Sequence, residues 1–191
     1  MKRLSVLGGL GLLVLTGCAS APPAHQTTLQ GVDFANTDLT QFAAGVGMPR
    51  SLVPLPDSAR LNVTVTARDG TESVYPVRLA PSPLQEDWDA LRHDAGNERT
   101  VVAYRIPPGE LARLEAFRAA FLKQRSGAKG APELRLSVGA AACHTGDLPE
   151  GALPMTTYVR TVETGSFVEL LAGLDLRRFA DGARLDEPIP A

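Results

Sequence analysis

Residues 61–79, LNVTVTARDGTESVYPVRL, decide the class of fold. Leu61, Val63, Val65 and Ala67 alternate with Asn62, Thr64, Thr66 and Arg68, the period-two pattern of a strand with one buried face. Asp69-Gly70 follows, and that dipeptide predicts a type I′ turn, whose two central residues both need positive φ. The return strand runs from about Glu72 to Leu79. Pro76 has no N–H for a ladder bond, which places that strand at a sheet edge or breaks it there.

Working outward, Ser82-Pro83-Leu84-Gln85 predicts a helix start, with serine as N-cap, proline at N1 and glutamine at N3. Glu86 and Asp87 fall in its first turn, where carboxylates complement the helix dipole. Leu84, Trp88 and Leu91 form its apolar stripe, His93 lies near its cationic end and Gly96 ends it. Thr100–Ile106 reads as a strand stopped by Pro107-Pro108. A longer helix is expected over Glu110–Arg125, with Leu111, Leu114, Phe117, Phe121 and Leu122 on one face. Glu110–Arg113 and Glu115–Arg118 are i,i+3 pairs on the other face. Strands follow at Leu134–Val138, Met155–Val162 and Ser166–Leu171, the last two joined by a turn near Thr164-Gly165, and a capped turn begins at Asp175. Upstream, a single helical turn is expected over Leu39–Ala44, capped by Asp38 with Gln41 reaching back.

Helices between strands, followed by a final meander, predict an α+β domain: a mostly antiparallel sheet with two main helices packed on one face. A β-sandwich with an inserted helix is the alternative. The division expected is residues 1–17 as a signal segment, 18–31 as a tether and 32–191 as one α+β domain. The chain has 191 residues and a formal charge of −2, and its basic residues are mainly arginines spread thinly along it. They do not cluster with aromatics, so no nucleic-acid footprint is expected.

At the N-terminus, Met1-Lys2-Arg3 precedes an apolar run from Leu4 to Leu15. A bilayer span needs about 20 apolar residues, so this run has the length of a signal peptide's apolar region instead. It closes on Leu15-Thr16-Gly17-Cys18, followed by Ala19-Ser20. These residues resemble the lipobox of bacterial lipoproteins. The resemblance covers residues 1–20 only, and an ordinary signal peptide cleaved near Ala19 or Ala21 is the alternative. It implies a thioether-linked diacylglycerol on Cys18, cleavage before that residue and acylation of the new amine. With Ala19 rather than Asp after the cysteine, it also implies sorting to the outer membrane, on the periplasmic face. Ala19–Gln30, with Pro22-Pro23, reads as a flexible tether that reaches about 40 Å when extended.

If Cys18 carries lipid, Cys143 has no disulfide partner and is either buried and inert or free and reactive. Cys143-His144, with Asp147 and Glu150 close behind, concentrates the reactive groups of the chain. A neighbouring imidazole can depress a thiol pKa and act as base, so Cys143, His144 and Asp147 are the candidates for catalysis. Adjacent residues of a strand point to opposite faces, which opposes a direct Cys143–His144 contact. Strand phase puts Cys143 with Arg135, Ser137 and Gly139 on the more polar face. A zinc site lacks a second cysteine at a suitable spacing. Ser126-Gly127-Ala128-Lys129 spells S-x-x-K without the partner motifs that chemistry requires. No cofactor and no metal are expected. The leading expectation is a lipid-anchored binding or envelope-assembly module with an envelope protein partner. Strand addition at the Pro76 edge or the final meander would recruit that partner. The alternatives are a thiol- or metal-dependent envelope enzyme and a small-ligand binder using the groove between helix and sheet.

Overall fold

A computed structural model describes residues 34, 36–67, 69–96, 99–126, 132–144 and 148–178. The expected signal segment, Cys18, the tether, Asp147, Gly127 and Lys129 lie outside the described residues.

The hairpin forms where its alternation demands. Strands β3 (Arg60–Thr66) and β4 (Glu72–Arg78) pair antiparallel, Leu61 opposite Val77 and Thr66 opposite Glu72. Leu61 and Val63 are fully buried, while Asn62, Thr64 and Thr66 face outward. The turn is not type I′. Gly70 N donates to Ala67 O at 3.0 Å and Ala67 N to Thr71 O at 2.8 Å. Gly70 has φ +82°. This is a three-residue connection with a left-handed glycine bulge, stabilised by Thr71 N donating to Asp69 Oδ1 at 2.9 Å.

β4 is an edge, as Pro76 requires, in a three-stranded sheet ordered β4, β3, β7, with β7 spanning Glu133–Gly139. Hydrogen-bonded pairs alternate along an antiparallel ladder. The Ala67–Thr71 and Ala59–Leu79 bonds fix the phase, so Pro76 opposite Asn62 holds a non-bonded position. Its missing N–H therefore faces the open edge.

The middle strand of the largest sheet is not where the sequence places a helical turn. The turn itself exists, with Gln41 N donating to Asp38 O and Phe42 N to Leu39 O, but it stops at Phe42. Strand β1 (Ala43–Pro49) begins at the next residue. It lies between β6 (Arg99–Arg105) and β9 (Pro154–Arg160) in a five-stranded sheet ordered β10, β9, β1, β6, β5. β5 is Ala80–Pro81 and β10 is Val168–Asp175, the latter bulged twice against β9. Both faces of β1 are buried, so its residues show no polar alternation. One face is Ala43, Gly45 and Gly47; the other is Ala44, Val46 and Met48.

Each face has its own cover. Helix α1 (Gln85–Ala95) lies on the glycine face, where Leu91 packs with Ala43, Ala103, Tyr158 and Phe167. A Cβ on Gly45 would stand 2.6 Å from Leu91 Cδ1, so glycine is what lets the helix approach this closely. On the opposite face Ala44, Val46 and Met48 join Leu61, Val63 and Val138 of the smaller sheet and Leu114 of helix α2 (Pro108–Ser126). The α+β class with mostly antiparallel sheet is therefore what the chain forms. Helix α1 covers the glycine face of the five-stranded sheet, whereas α2 meets β4 of the smaller sheet, where Phe117 stacks on Tyr75.

α2 carries both expected ion pairs, Glu110–Arg113 at 3.2 Å and Glu115–Arg118 at 2.6 Å. α1 departs from its expected start. Its N-cap is Leu84, without a side-chain cap bond, and Ser82 lies two residues earlier. Leu84 is 42% exposed, so the stripe fails there, and the second buried position of the helix is Asp87. A short pair, β2 (Leu52–Pro54) with β8 (Ala142–His144), joins the end of β1 to the end of β7. Ser58 fastens this corner: its Oγ donates to Leu55 O and accepts from Ala141 N.

Candidate functional site

The thiol candidates sit on β8. Cys143 lies opposite Val53 and His144 opposite Leu52, so the two side chains point to opposite faces of the pair. Cys143 is free and 5% exposed, and His144 is half-buried. The phase counted from Arg135 does not reach Cys143. β7 ends at Gly139, Ala140 and Ala141 break the strand, and β8 then pairs with a different partner. The expected polar-face placement thus gives way to a buried thiol. Among the described residues, no group of three or more His, Cys, Asp and Glu side chains could hold a metal ion.

The densest polar constellation joins residues that lie far apart in sequence and show no shared motif. The register aligns Arg160 of β9, Ala43 of β1 and Arg105 of β6 in one row on the α1 face. Asp87, from the first turn of α1, descends onto that row and is fully buried. Arg105 grips it with two bonds, Nε to Oδ2 at 2.6 Å and Nη2 to Oδ1 at 2.8 Å. Arg160 Nη2 donates to Oδ1 as well, and its guanidinium carbon lies 5.1 Å from the centre of the Phe167 ring. Ser82 Oγ donates to Oδ2 and accepts from Leu84 N at 3.1 Å. The Trp88 indole N–H reaches Ser82 O at 2.9 Å.

Burial alone pushes the Asp87 carboxyl up. The hydrogen bonds from Arg105 and Ser82, with the charges of Arg105 and Arg160, outweigh it and hold the group below its ordinary value of 3.8. Arg105 is held more firmly protonated, first by its hydrogen bond to Asp87. This is a fixed carboxylate between two guanidiniums, and Ser82 spends its proton on it rather than on a base. Chemically the cluster fastens a helix to a sheet. At the other end of α1, Asp94 Oδ2 accepts from Phe167 N at 3.0 Å, so both ends of the helix are pinned.

A signal for Asp87 was present: it stands four residues before Leu91 and so on the same helix face. Arg105 likewise shares strand phase with Val101 and Ala103. Between α1 and the sheet, the groove expected for a small ligand is filled by Leu91, Trp88 and the Asp87 cluster. On the open face of the smaller sheet, Thr64, Glu72, Arg135, Leu136 and Ser137 line a shallow depression of about 200 Å³. Arg135 and Glu72 pair with each other across it and neutralise its charge. No family model, no curated protein and no solved structure matches this chain.

Proposed function

We propose that the chain is a bacterial outer-membrane lipoprotein: lipid on Cys18 holds it to the periplasmic face of the membrane, and the α+β domain binds an envelope protein partner. The observation that carries this reading is Leu15-Thr16-Gly17-Cys18 at the end of a 12-residue apolar run behind Lys2 and Arg3. Two or more acyl chains give stable anchoring where one gives only marginal binding. The fold supports a binding role through what its polar groups do: Asp87, Arg105, Arg160 and Ser82 are occupied with one another, and Cys143 is buried.

Both edges considered for strand addition carry guards. Pro76 removes a donor from the outer side of β4, and two register shifts interrupt β10. The partner is therefore expected to dock on side chains rather than to extend a sheet. Palmitate labelling in cells tests the anchor: label and membrane fractionation should both vanish with Cys18→Ser. Crosslinking in intact cells tests the partner. A signal-bearing Cys18→Ser chain that still labels, or crosslinking that recovers nothing while an untethered form functions fully, would overturn the reading.

A further inference from the structure

We infer that Thr37–Phe42 form a tension-bearing seat, through which a pull on the N-terminal chain passes into the middle of the five-stranded sheet. The inference rests on the lipid-anchor reading for the source of that tension. Terminal segments are poorly ordered unless tied down, and this one is tied from three directions. Arg118 of α2 donates from Nη1 to Thr37 O at 2.6 Å, across 81 residues of sequence. Thr37 Oγ1 donates to Glu163 Oε2, in the turn between β9 and β10, at 2.8 Å. Arg105 of β6 reaches Thr40 O at 3.3 Å, while its other nitrogens hold Asp87. Thr37, Leu39 and Phe42 are buried, at 1%, 1% and 2% exposure.

Directly after the seat, Ala43 opens β1, which is paired on both sides, with β6 from Ala43 to Pro49 and with β9 from Ala43 to Gly47. An edge strand peels by breaking one ladder. This strand leaves only if two ladders break, and the three contacts to Thr37 and Thr40 shield the end where peeling would begin. The segment thus turns a pull on the chain into a load shared by α2, β6 and the β9–β10 turn.

Force spectroscopy on the full mature chain, made without lipid and carrying Cys143→Ala, tests this. In one geometry handles attach to Cys18 and to Ala172→Cys on β10, so that force enters through the seat. In the other, Cys18→Ser, handles attach to Ser73→Cys on β4 and to Ala172→Cys; the smaller sheet makes none of the three bonds that hold Thr37 and Thr40, so force enters away from the seat. Forced unfolding is governed by the unfolding rate. A hydrogen bond from a charged group is strong enough that Arg118→Ala should raise that rate about tenfold or more through Cys18, and less than twofold through Ser73→Cys. Thr37→Val, close in shape and lacking only the hydroxyl, should show the same asymmetry more mildly and serves if Arg118→Ala fails to fold. Equal acceleration in both geometries would mean general destabilisation and would overturn the inference, as would no acceleration through Cys18. The assay contains no lipid, so failure of Cys18 to take palmitate removes the source of tension without altering the force result.

Discussion

Replacing Asp87 with asparagine keeps the shape of the side chain and removes its charge from beneath α1. The carboxylate is fully buried, while the Arg105 and Arg160 side chains are 15% and 17% exposed. Breaking a buried pair by removing one partner costs about 3–5 kcal/mol, because the other charge is left uncompensated. Here the residual charges keep some water, Arg105 keeps Thr40 O and Arg160 keeps the Phe167 ring. The expected loss is therefore about 3 kcal/mol, at the lower end of that range. In urea, with slopes of roughly 1–3 kcal/mol per molar, the midpoint should fall by about 1–3 M at pH 7. Asp89→Asn, which alters a 63% exposed partner of Arg92, should change the midpoint little.

The pH dependence has a definite sign. The Asp87 carboxyl titrates below 3.8 in the folded chain, so its contribution is complete above the unfolded value and declines as pH falls through the folded one. The gap between wild type and Asp87→Asn should accordingly be widest near neutrality and close in acid. If the variant loses less than about 1 kcal/mol at pH 7, or if the gap widens in acid, the fastening role assigned to this cluster is wrong.

Other substitutions probe different parts of the fold. Gly45→Ala drives a methyl to within 2.6 Å of Leu91 and 3.2 Å of Tyr158, and should cost about 1–3 kcal/mol in the same urea titration. Thr157→Val removes a buried Oγ1 that has no hydrogen-bond partner, and should raise stability by about 1 kcal/mol, read as a higher melting temperature. Pro76→Val restores an outward N–H to the β4 edge, and sedimentation should show concentration-dependent self-association that wild type lacks.

Local chemistry was legible where local chemistry decides the outcome. The β3–β4 alternation, the face of α2 around Leu114 and the Glu110–Arg113 and Glu115–Arg118 pairs depend on near neighbours in sequence, and all are found. β1 depends on neighbours far away. Ala43-Ala44-Gly45-Val46-Gly47 has poor strand propensity and no alternation, and becomes a strand because β6 and β9 flank it. The I′ turn fails for a narrower reason: the Asp69 side chain accepts from Thr71 N, and Gly70 N closes back on Ala67 O. Cys143 departs from its expected face because alternation holds within one strand and not across the break at Ala140-Ala141.

The glycines of β1 and the buried acid of α1 answer one physical problem from two sides. A helix can settle onto a strand at Gly45 only where side chains are absent, so the apolar contact under α1 comes from Ala103, Tyr158 and Phe167 on the neighbouring segments rather than from β1's glycines. Within α1, Leu91 and Asp87 are the buried residues, and a fully buried leucine contributes only about 1.5–3 kcal/mol. Additional hold must come from directional bonds. A carboxylate gripped by Arg105 on one flank of β1 and Arg160 on the other supplies it, and ties three strands together beneath the helix. Ala43, between the two arginines in the row, must then stay small so that Asp87 can reach both. Enlarging Ala43 to valine should loosen α1 as Asp87→Asn does. The two changes made together should cost less than their separate sum, because each disables the same contact.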